Sequence, residues 1–409
     1  MFRRRLIGLL LGASLWTSSA AAQERSQPIV EVTYERALAL ARQQAPALAA
    51  ARARAREAES QVEAASVWRV NPQVSAAAGP RFRSEGTIPQ WSVGAQQWLE
   101  VGGQRGDRVD AARAGAAAGT ARSEDAQRLL LSEVSGGFIA ALYWERRIAL
   151  AEENLRIAES VARVATRRHE VGDVGGLEQS VSTLAVARAR TDADRARAAH
   201  TQAEGRLKAL LGIPASSDLS CRGDLRQLGI PEPAPTALGE RPDLRALAAD
   251  IRQAEAEEDL GRASRVPNLA LGARYSSEES DDIVQGTLTV ALPVFDHGQG
   301  TTAVAHARGE RLRAELAATR SMASVETNTA QATAERLSNA ARRFENEGLE
   351  PLERSERLAT ASYEAGAIPL GELLAVRREL VQAKVDYADL LLGAATARAD
   401  LAASSGAFR

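Results

Sequence analysis

The sequence predicts a mainly α-helical protein with a small β part, in which long antiparallel coiled-coil helices carry four strands, and three observations predict it. First, the chain is written twice, the second copy running about 195 positions behind the first: Arg42-Gln-Gln-Ala-Pro46-Ala-Leu48 returns as Leu238-Gly-Glu-Arg-Pro242-Asp-Leu244, Gly103-Gln104 as Gly298-Gln299, and Glu170-x-Gly172 as Glu364-x-Gly366. A repeat of this length is a duplicated domain-sized unit, not a solenoid of short modules. Second, no proline occurs between Pro89 and Pro214, a stretch rich in Ala, Arg, Glu, Leu and Gln, which lose least on entering a helix. Third, each half carries two alternating segments at the same place, directly before its long helix.

Taken in order, residues 1–22 have the three regions of a secretory signal: Arg3-Arg4-Arg5, the apolar run Leu6 to Trp16, and Ala20-Ala21-Ala22. Cleavage is expected after Ala22, since the apolar run is shorter than the ~20 residues a spanning helix needs. The first repeat, 23–220, contains strands at about 71–79 and 91–99 around a loop with Gly79-Pro80, Gly86 and Pro89. A helix from about 107 to 169 follows, ~90 Å long at 1.5 Å per residue. The turn Val171 to Gly176 leads to a second helix, 177–211, stopped by Gly212 and Pro214. Residues 221–235 read as a linker. In the second repeat, 236–409, strands at about 267–275 and 283–292 flank the acidic loop Ser276 to Asp282. A long helix starts near Thr302 and breaks at Gly348 to Pro351; after a turn at Gly366 to Pro369, a last helix reaches about Ala403.

That last helix shows what such helices bury. Leu373, Val376, Leu380, Ala383, Tyr387, Leu390, Ala394, Ala397 and Leu401 follow an alternating three and four spacing, the seam of a coiled coil. Beside it, Leu374, Val381, Ala388 and Ala395 form a second stripe. Two seams mean two neighbours, as in a wall one helix thick with water on each side. The strands are nine to ten residues long with one apolar face, the pattern of outer-membrane barrel strands. Four strands cannot close a barrel, and open edges in lipid would carry unpaired peptide groups, so two, three or four copies must pool their strands.

Composition narrows the function. Aromatics are 4% and the net charge is -2, with 51 basic residues among 53 acidic ones, so no field points to nucleic acid. Cys221 is the only cysteine, which excludes an intramolecular disulfide and a cysteine zinc cluster. No enzyme constellation is present: His169-Glu170 lacks a histidine four residues after His169, and Val101-Gly-Gly-Gln-Arg-Gly106 is neither a phosphate loop nor a dinucleotide fingerprint. His200 reads as packed on the seam, and His297 and His306 lack partners for a metal site, so no cofactor and no metal ligand set is expected.

These residues resemble the TolC family of outer-membrane efflux channels from about Val32 to Gly406. The paired hairpin signature carries the likeness: Tyr363-Glu-Ala-Gly366 followed by Glu372-Leu373-Leu374-Ala375, and His169-Glu-Val-Gly172 followed by Glu178. Leu99-Glu-Val-Gly-Gly-Gln-Arg105, Arg241-Pro-Asp-Leu244 and Leu292-Pro-Val-Phe-Asp-His-Gly-Gln-Gly300 are similar to the outer-membrane components of cobalt-zinc-cadmium and nickel exporters. The resemblance implies a homotrimer with one 12-stranded barrel in the outer membrane and a helical tunnel across the periplasm. It implies hairpin tips, at Val171 and Gly172 and at Ala365 and Gly366, that meet a periplasmic adaptor joined to an inner-membrane pump of the RND type. Glu372, with Glu178 and Asp173, are the candidates for an acidic constriction at the entrance; Ala375 stands where the family often has an acid. Three carboxylates around one axis repel one another yet attract cations. The expected function is passive export of heavy-metal cations. The alternatives are a duct for drugs or for a type I secretion system, or a periplasmic coiled-coil adaptor or rod with no pore.

Overall fold

The computed structural model describes residues 29–84, 86–172, 175–232, 237–278, 281–365 and 367–408; the expected signal segment lies outside them, as do Asp173 and Gly366. The elements run β1 (Ile29–Thr33), α1 (Tyr34–Gln44), α2 (Pro46–Ser66), β2 (Gln73–Arg83), β3 (Gly86–Leu99), α3 (Gln104–Glu170), α4 (Gly176–Leu211), β4 (Asp218–Arg222), α5 (Pro242–Ala263), β5 (Asn268–Glu278), β6 (Asp281–Ala291), α6 (Gln299–Phe344), α7 (Glu350–Glu364) and α8 (Leu370–Ser404).

The 67 residues of α3 make a rod of ~100 Å. Its half nearer the strands packs against α2 and α5, where Gly119 would bring a Cβ within 3.0 Å of Ala58 and Arg122 pairs with the buried Asp250. Its far half packs against α4, through pairs such as Arg197–Glu152, and against α8, where Tyr143 Oη donates to Asp389. Helix α8 lies between α3 and α6 or α7. Its seam is as read: Leu373, Leu380, Ala383, Tyr387, Ala394 and Ala397 are buried, and Ala388 and Ala395 of the second stripe are buried as well. Small residues on both seams let this helix touch two neighbours at once.

Where the long helix of the second half was expected to break, it continues. Residues Glu345–Leu349 form one π-helical turn between α6 and α7, and Phe344 before it stacks on Tyr387 at 6.5 Å. Pro351 then falls in the first turn of α7. A widened turn absorbs the missing donor and the ring of a proline without ending the rod.

A second feature escaped the sequence reading. β1 pairs in parallel with β4, Ile29 with Asp218 through Thr33 with Arg222, so the expected linker begins inside a strand. Val32 of β1 and Leu219 of β4 join the main hydrophobic core of the molecule. Tyr34, Phe138, Ile139, Leu207, Leu211 and Phe408 are fully or nearly fully buried there, Tyr34 lying edge-on to Phe138 at 5.7 Å with its hydroxyl 2.8 Å from Ser135 Oγ.

The remaining strands form one antiparallel sheet in the order β2-β3-β5-β6. All four are longer than the pattern suggested. β2 and β3 run through Gly79-Pro80 and Pro89 because Pro80 faces Pro89, a position where neither needs a donor, and Pro89 lies beyond the ladder with β5. Ser276, Ser277 and Glu278 pair with Ile283, Asp282 and Asp281, so the acidic loop is mostly strand. Its charge signals water at the hairpin end, not loss of pairing.

Candidate functional site

Two regions present chemistry that the folding core does not use: the sheet and the far ends of the helical hairpins. The register settles the faces of the sheet. Val74, Ala76 and Ala78 of β2, Trp91, Val93 and Ala95 of β3, Leu269, Leu271 and Tyr275 of β5, and Val284, Leu288 and Val290 of β6 fall on one side. Val74, Leu288 and Val284 are 76%, 65% and 77% exposed, an apolar surface that none of the described residues covers. Trp91 and Tyr275 touch on this face at 5.3 Å, towards the end of the hairpins. The opposite side carries Gln73, Ser75, Gln90, Gln96, Arg274, Gln285 and Thr287, and Gln96 Nε2 donates to Gln73 Oε1 at 2.7 Å across the strands. Among the described residues of the protomer β2 and β6 are both edges. A sheet apolar on one face, polar on the other and open at both edges fits lipid outside, water inside and closure by further strands.

Strand becomes helix at a repeated Gly-Gln pair. Gly103 (φ 87°) and Gly298 (φ 81°) turn the chain in the left-handed region. Gln104 then accepts from Gly102 N at 2.9 Å and donates to Ala263 O and Val266 O, both at 3.1 Å, pinning the first neck to the end of α5. Sequence reasoning noted this pair without a role; its recurrence at the same point of both halves was the available signal.

At the other end, α3 finishes with Arg167, Arg168 and His169 in its last turn, the two arginines placing positive charge against the negative helix terminus. Val171 N donates to Arg167 O and Gly172 N to His169 O, with Gly172 at φ 78°. Val171 is 79% exposed. The second tip closes by Ala365 N to Ala361 O and Ala367 N to Ser362 O. Glu178 and Glu372 occupy matching places, the third residue of α4 and of α8, each with its amide bonded to the residue before the helix, Gly175 O and Pro369 O, at 3.1 Å. Negative charge there complements the helix start. They differ in surroundings: Glu372 is exposed, whereas Glu178 is half-buried with one carboxylate oxygen shut from solvent and lacking a hydrogen-bond partner among the described residues.

The two tips belong to one body. Val161 and Ala165 of α3 pack against Tyr363 of α7 and Leu374 of α8, and further back Lys384 of α8 reaches Glu153 of α3 at 3.4 Å. Leu177, Val181 and Leu184 leave an exposed apolar stripe along α4, a feature the sequence analysis did not single out. No group of three or more possible metal ligands occurs among the described residues, and His306 meets only Glu258 and Glu310, at 3.5 and 3.7 Å.

Comparison with known proteins bears on this geometry. Residues 37–213 and 234–407 match the model of the outer membrane efflux protein family. The cobalt-zinc-cadmium resistance protein CzcC of Cupriavidus metallidurans is 26% identical over 306 residues, covering 72% of this chain and 71% of that protein. The pyoverdine export outer membrane protein OpmQ of Pseudomonas putida is 28% identical over 292 residues, covering 66% of this chain and 62% of that protein. Among solved structures, the Campylobacter jejuni CmeC outer membrane channel superposes with a TM-score of 0.78 at 16% identity, over 91% of this chain and 85% of that one.

Proposed function

The chain belongs to the outer membrane efflux protein family, and from that premise we propose that it is the exit duct of a tripartite efflux machine, passively conducting heavy-metal cations out of the cell. The fold is TolC-like, and the protein resides in the outer membrane and extends into the periplasm. One observation carries the duct reading: a four-stranded sheet, apolar on one side and polar on the other, ends in two unpaired edges on top of a layer of rods. Three copies supply twelve strands and remove every edge.

In this reading the apolar face meets outer-membrane lipid. The tips at Val171, Gly172, Ala365 and Gly366 meet the adaptor, which links the duct to an RND-type inner-membrane pump. Glu372 and Glu178 line the entrance in the same reading, and Asp173, outside the described residues, is the third candidate. Three exposed Glu372 carboxylates near one axis concentrate cations without the tight ligation that would slow release. The likeness to a cobalt-zinc-cadmium resistance protein supports the metal cargo. Pyoverdine export, the role named for the second relative, supports an organic cargo as the alternative.

Detergent-solubilised protein should run as a trimer and conduct ions in planar bilayers; a water-soluble, non-conducting monomer refutes the duct. For the cargo, a deletion strain should become sensitive to zinc, cobalt, nickel or cadmium. Normal metal tolerance with loss of resistance to organic compounds refutes the metal assignment.

A further inference from the structure

We infer that Arg274 forms a cationic collar inside the membrane segment of the duct and makes that segment select anions over cations, an inference that rests on the trimeric barrel proposed above. Arg274 is exposed on the polar face of β5, in one row with Ser75 of β2, Gly94 of β3 and Gln285 of β6. The rows on either side hold Gln73, Gln96, Gly272 and Thr287 below, and Ala77, Ser92, Ser276 and Ile283 above. None is acidic. Glu278, the next acid along the strand, is four positions away, ~13 Å at 3.4 Å per residue, beyond a Debye length in physiological salt.

The neighbours also leave room for the side chain to extend. A Cβ on Gly94 would lie 3.7 Å from Arg274 Cβ, and Gly94 has none. An ionisable side chain at membrane depth is expensive unless it faces water or a partner, so its presence marks a functional position. Charges on the lumen face of a barrel tune selectivity, and rings of arginine favour anions.

Size decides whether three such charges matter. Twelve strands ~4.8 Å apart, tilted by ~40°, give a backbone radius of ~12 Å. An extended arginine reaches about halfway to the axis, so the guanidinium groups sit ~6 Å from it, inside the ~10 Å screening length at 0.1 M salt but outside the ~3 Å length at 1 M. Coulomb attraction with that screening enriches a monovalent anion at the axis on the order of five- to tenfold at 0.1 M and about twofold at 1 M. A divalent cation is depleted by the square of that factor. The collar therefore raises the same barrier to free divalent cations in both directions, so metal cargo of the proposed duct passes it most readily when it leaves with negative charge, as an anionic complex.

The test is the reversal potential of the reconstituted trimer under a tenfold KCl gradient, at mean salt of 0.1 M and of 1 M. R274Q should lower the chloride-to-potassium permeability ratio about 25- to 100-fold at 0.1 M, because the anion gains and the cation loses the same factor, and about fourfold at 1 M, with conductance retained, while R274K should match the wild type. If wild type and R274Q both conduct with equal ratios at 0.1 M, the collar is refuted and the duct stands. If the wild-type protein does not conduct at all, the duct reading fails and the collar with it.

Discussion

Gln104 and Gln299 stand at the same point of the two halves, each one residue after a glycine in the left-handed region, yet their side chains bond differently. Both accept from the amide two residues earlier, Gly102 N and His297 N, at 2.9 Å. Gln104 then reaches across to the end of α5, whereas Gln299 turns back to Phe295 O at 3.0 Å within its own loop. A second contrast lies where the proline-started helices α2 and α5 meet the ends of α4 and α8. In the first half Ala45-Pro46-Ala47 meets the end of α4 by close packing: a Cβ on Gly212 would lie 3.3 Å from Gln44 O and from Pro46 Cδ. In the second half Arg241-Pro242-Asp243 meets the end of α8 through charge: Arg241 pairs with Asp243 at 2.7 Å and donates to Ser404 O at 3.0 Å. One duplicated plan can thus be held by packing in one copy and by ions in the other, and a junction with no neighbour in the chain closes on itself.

Substitutions in matched pairs can break that comparison. The largest difference should come from the two neck glycines. A Cβ at Gly298 would lie 2.0 Å from Gly261 O, while one at Gly103 meets nothing within 4 Å. G103A should cost only the left-handed strain, about 1–2 kcal/mol, and G298A about 4 kcal/mol or more, read from guanidinium unfolding of the detergent-solubilised protein.

Next in size is D243N, about 2–3 kcal/mol at neutral pH, because Arg241, with a side chain 6% exposed, loses its bidentate partner and is left with Glu326 at 3.2 Å and Ser404 O. Burial pushes the Asp243 carboxyl up, but hydrogen bonding and charge from Arg241 together hold it below the usual carboxylate range. Its contribution is therefore full above the unfolded value of ~3.9 and is lost as pH falls through the lower folded value. Wild type should lose stability on acidification below about pH 4 more steeply than D243N; parallel acid limbs would refute the ionic clamp.

Q104A should cost about 2 kcal/mol, since it strips partners from Gly102 N, Ala263 O and Val266 O together. Q299A should cost less than about 1 kcal/mol, because its bonds are local and exposed. Equal losses for the two would mean that Gln299 finds a cross-partner on a neighbouring copy, and would sharpen the contrast into a statement about assembly.

The rods were legible because proline is absent from 90 to 213 and helix formers dominate, so local preference and tertiary packing agree. Strand positions were legible from alternation, but their ends were not. Pro80 and Pro89 read as breakers only until their register shows that each excuses the other, and the acids of 276–282 read as loop although a hairpin reaching water can pair to its tip. The β1–β4 pair is five residues long on each side and joins distant segments, a signal too short for periodicity to detect. At the tips, the sequence placed Glu178 and Glu372 as equivalents. It could not show that one is half enclosed and the other open, since that depends on how neighbouring helices pack over each turn.

The parallel pairing of β1 with β4 also has a kinetic side. Ile29 finds Asp218 about 190 residues later, so the leading strand of a chain delivered amino-terminus first has no partner until nearly half of the polypeptide has followed it. Through that interval the Ile29-Val-Glu-Val-Thr33 edge is an adhesive segment in waiting, and the early folding of this protein depends on how well that segment is shielded from other chains.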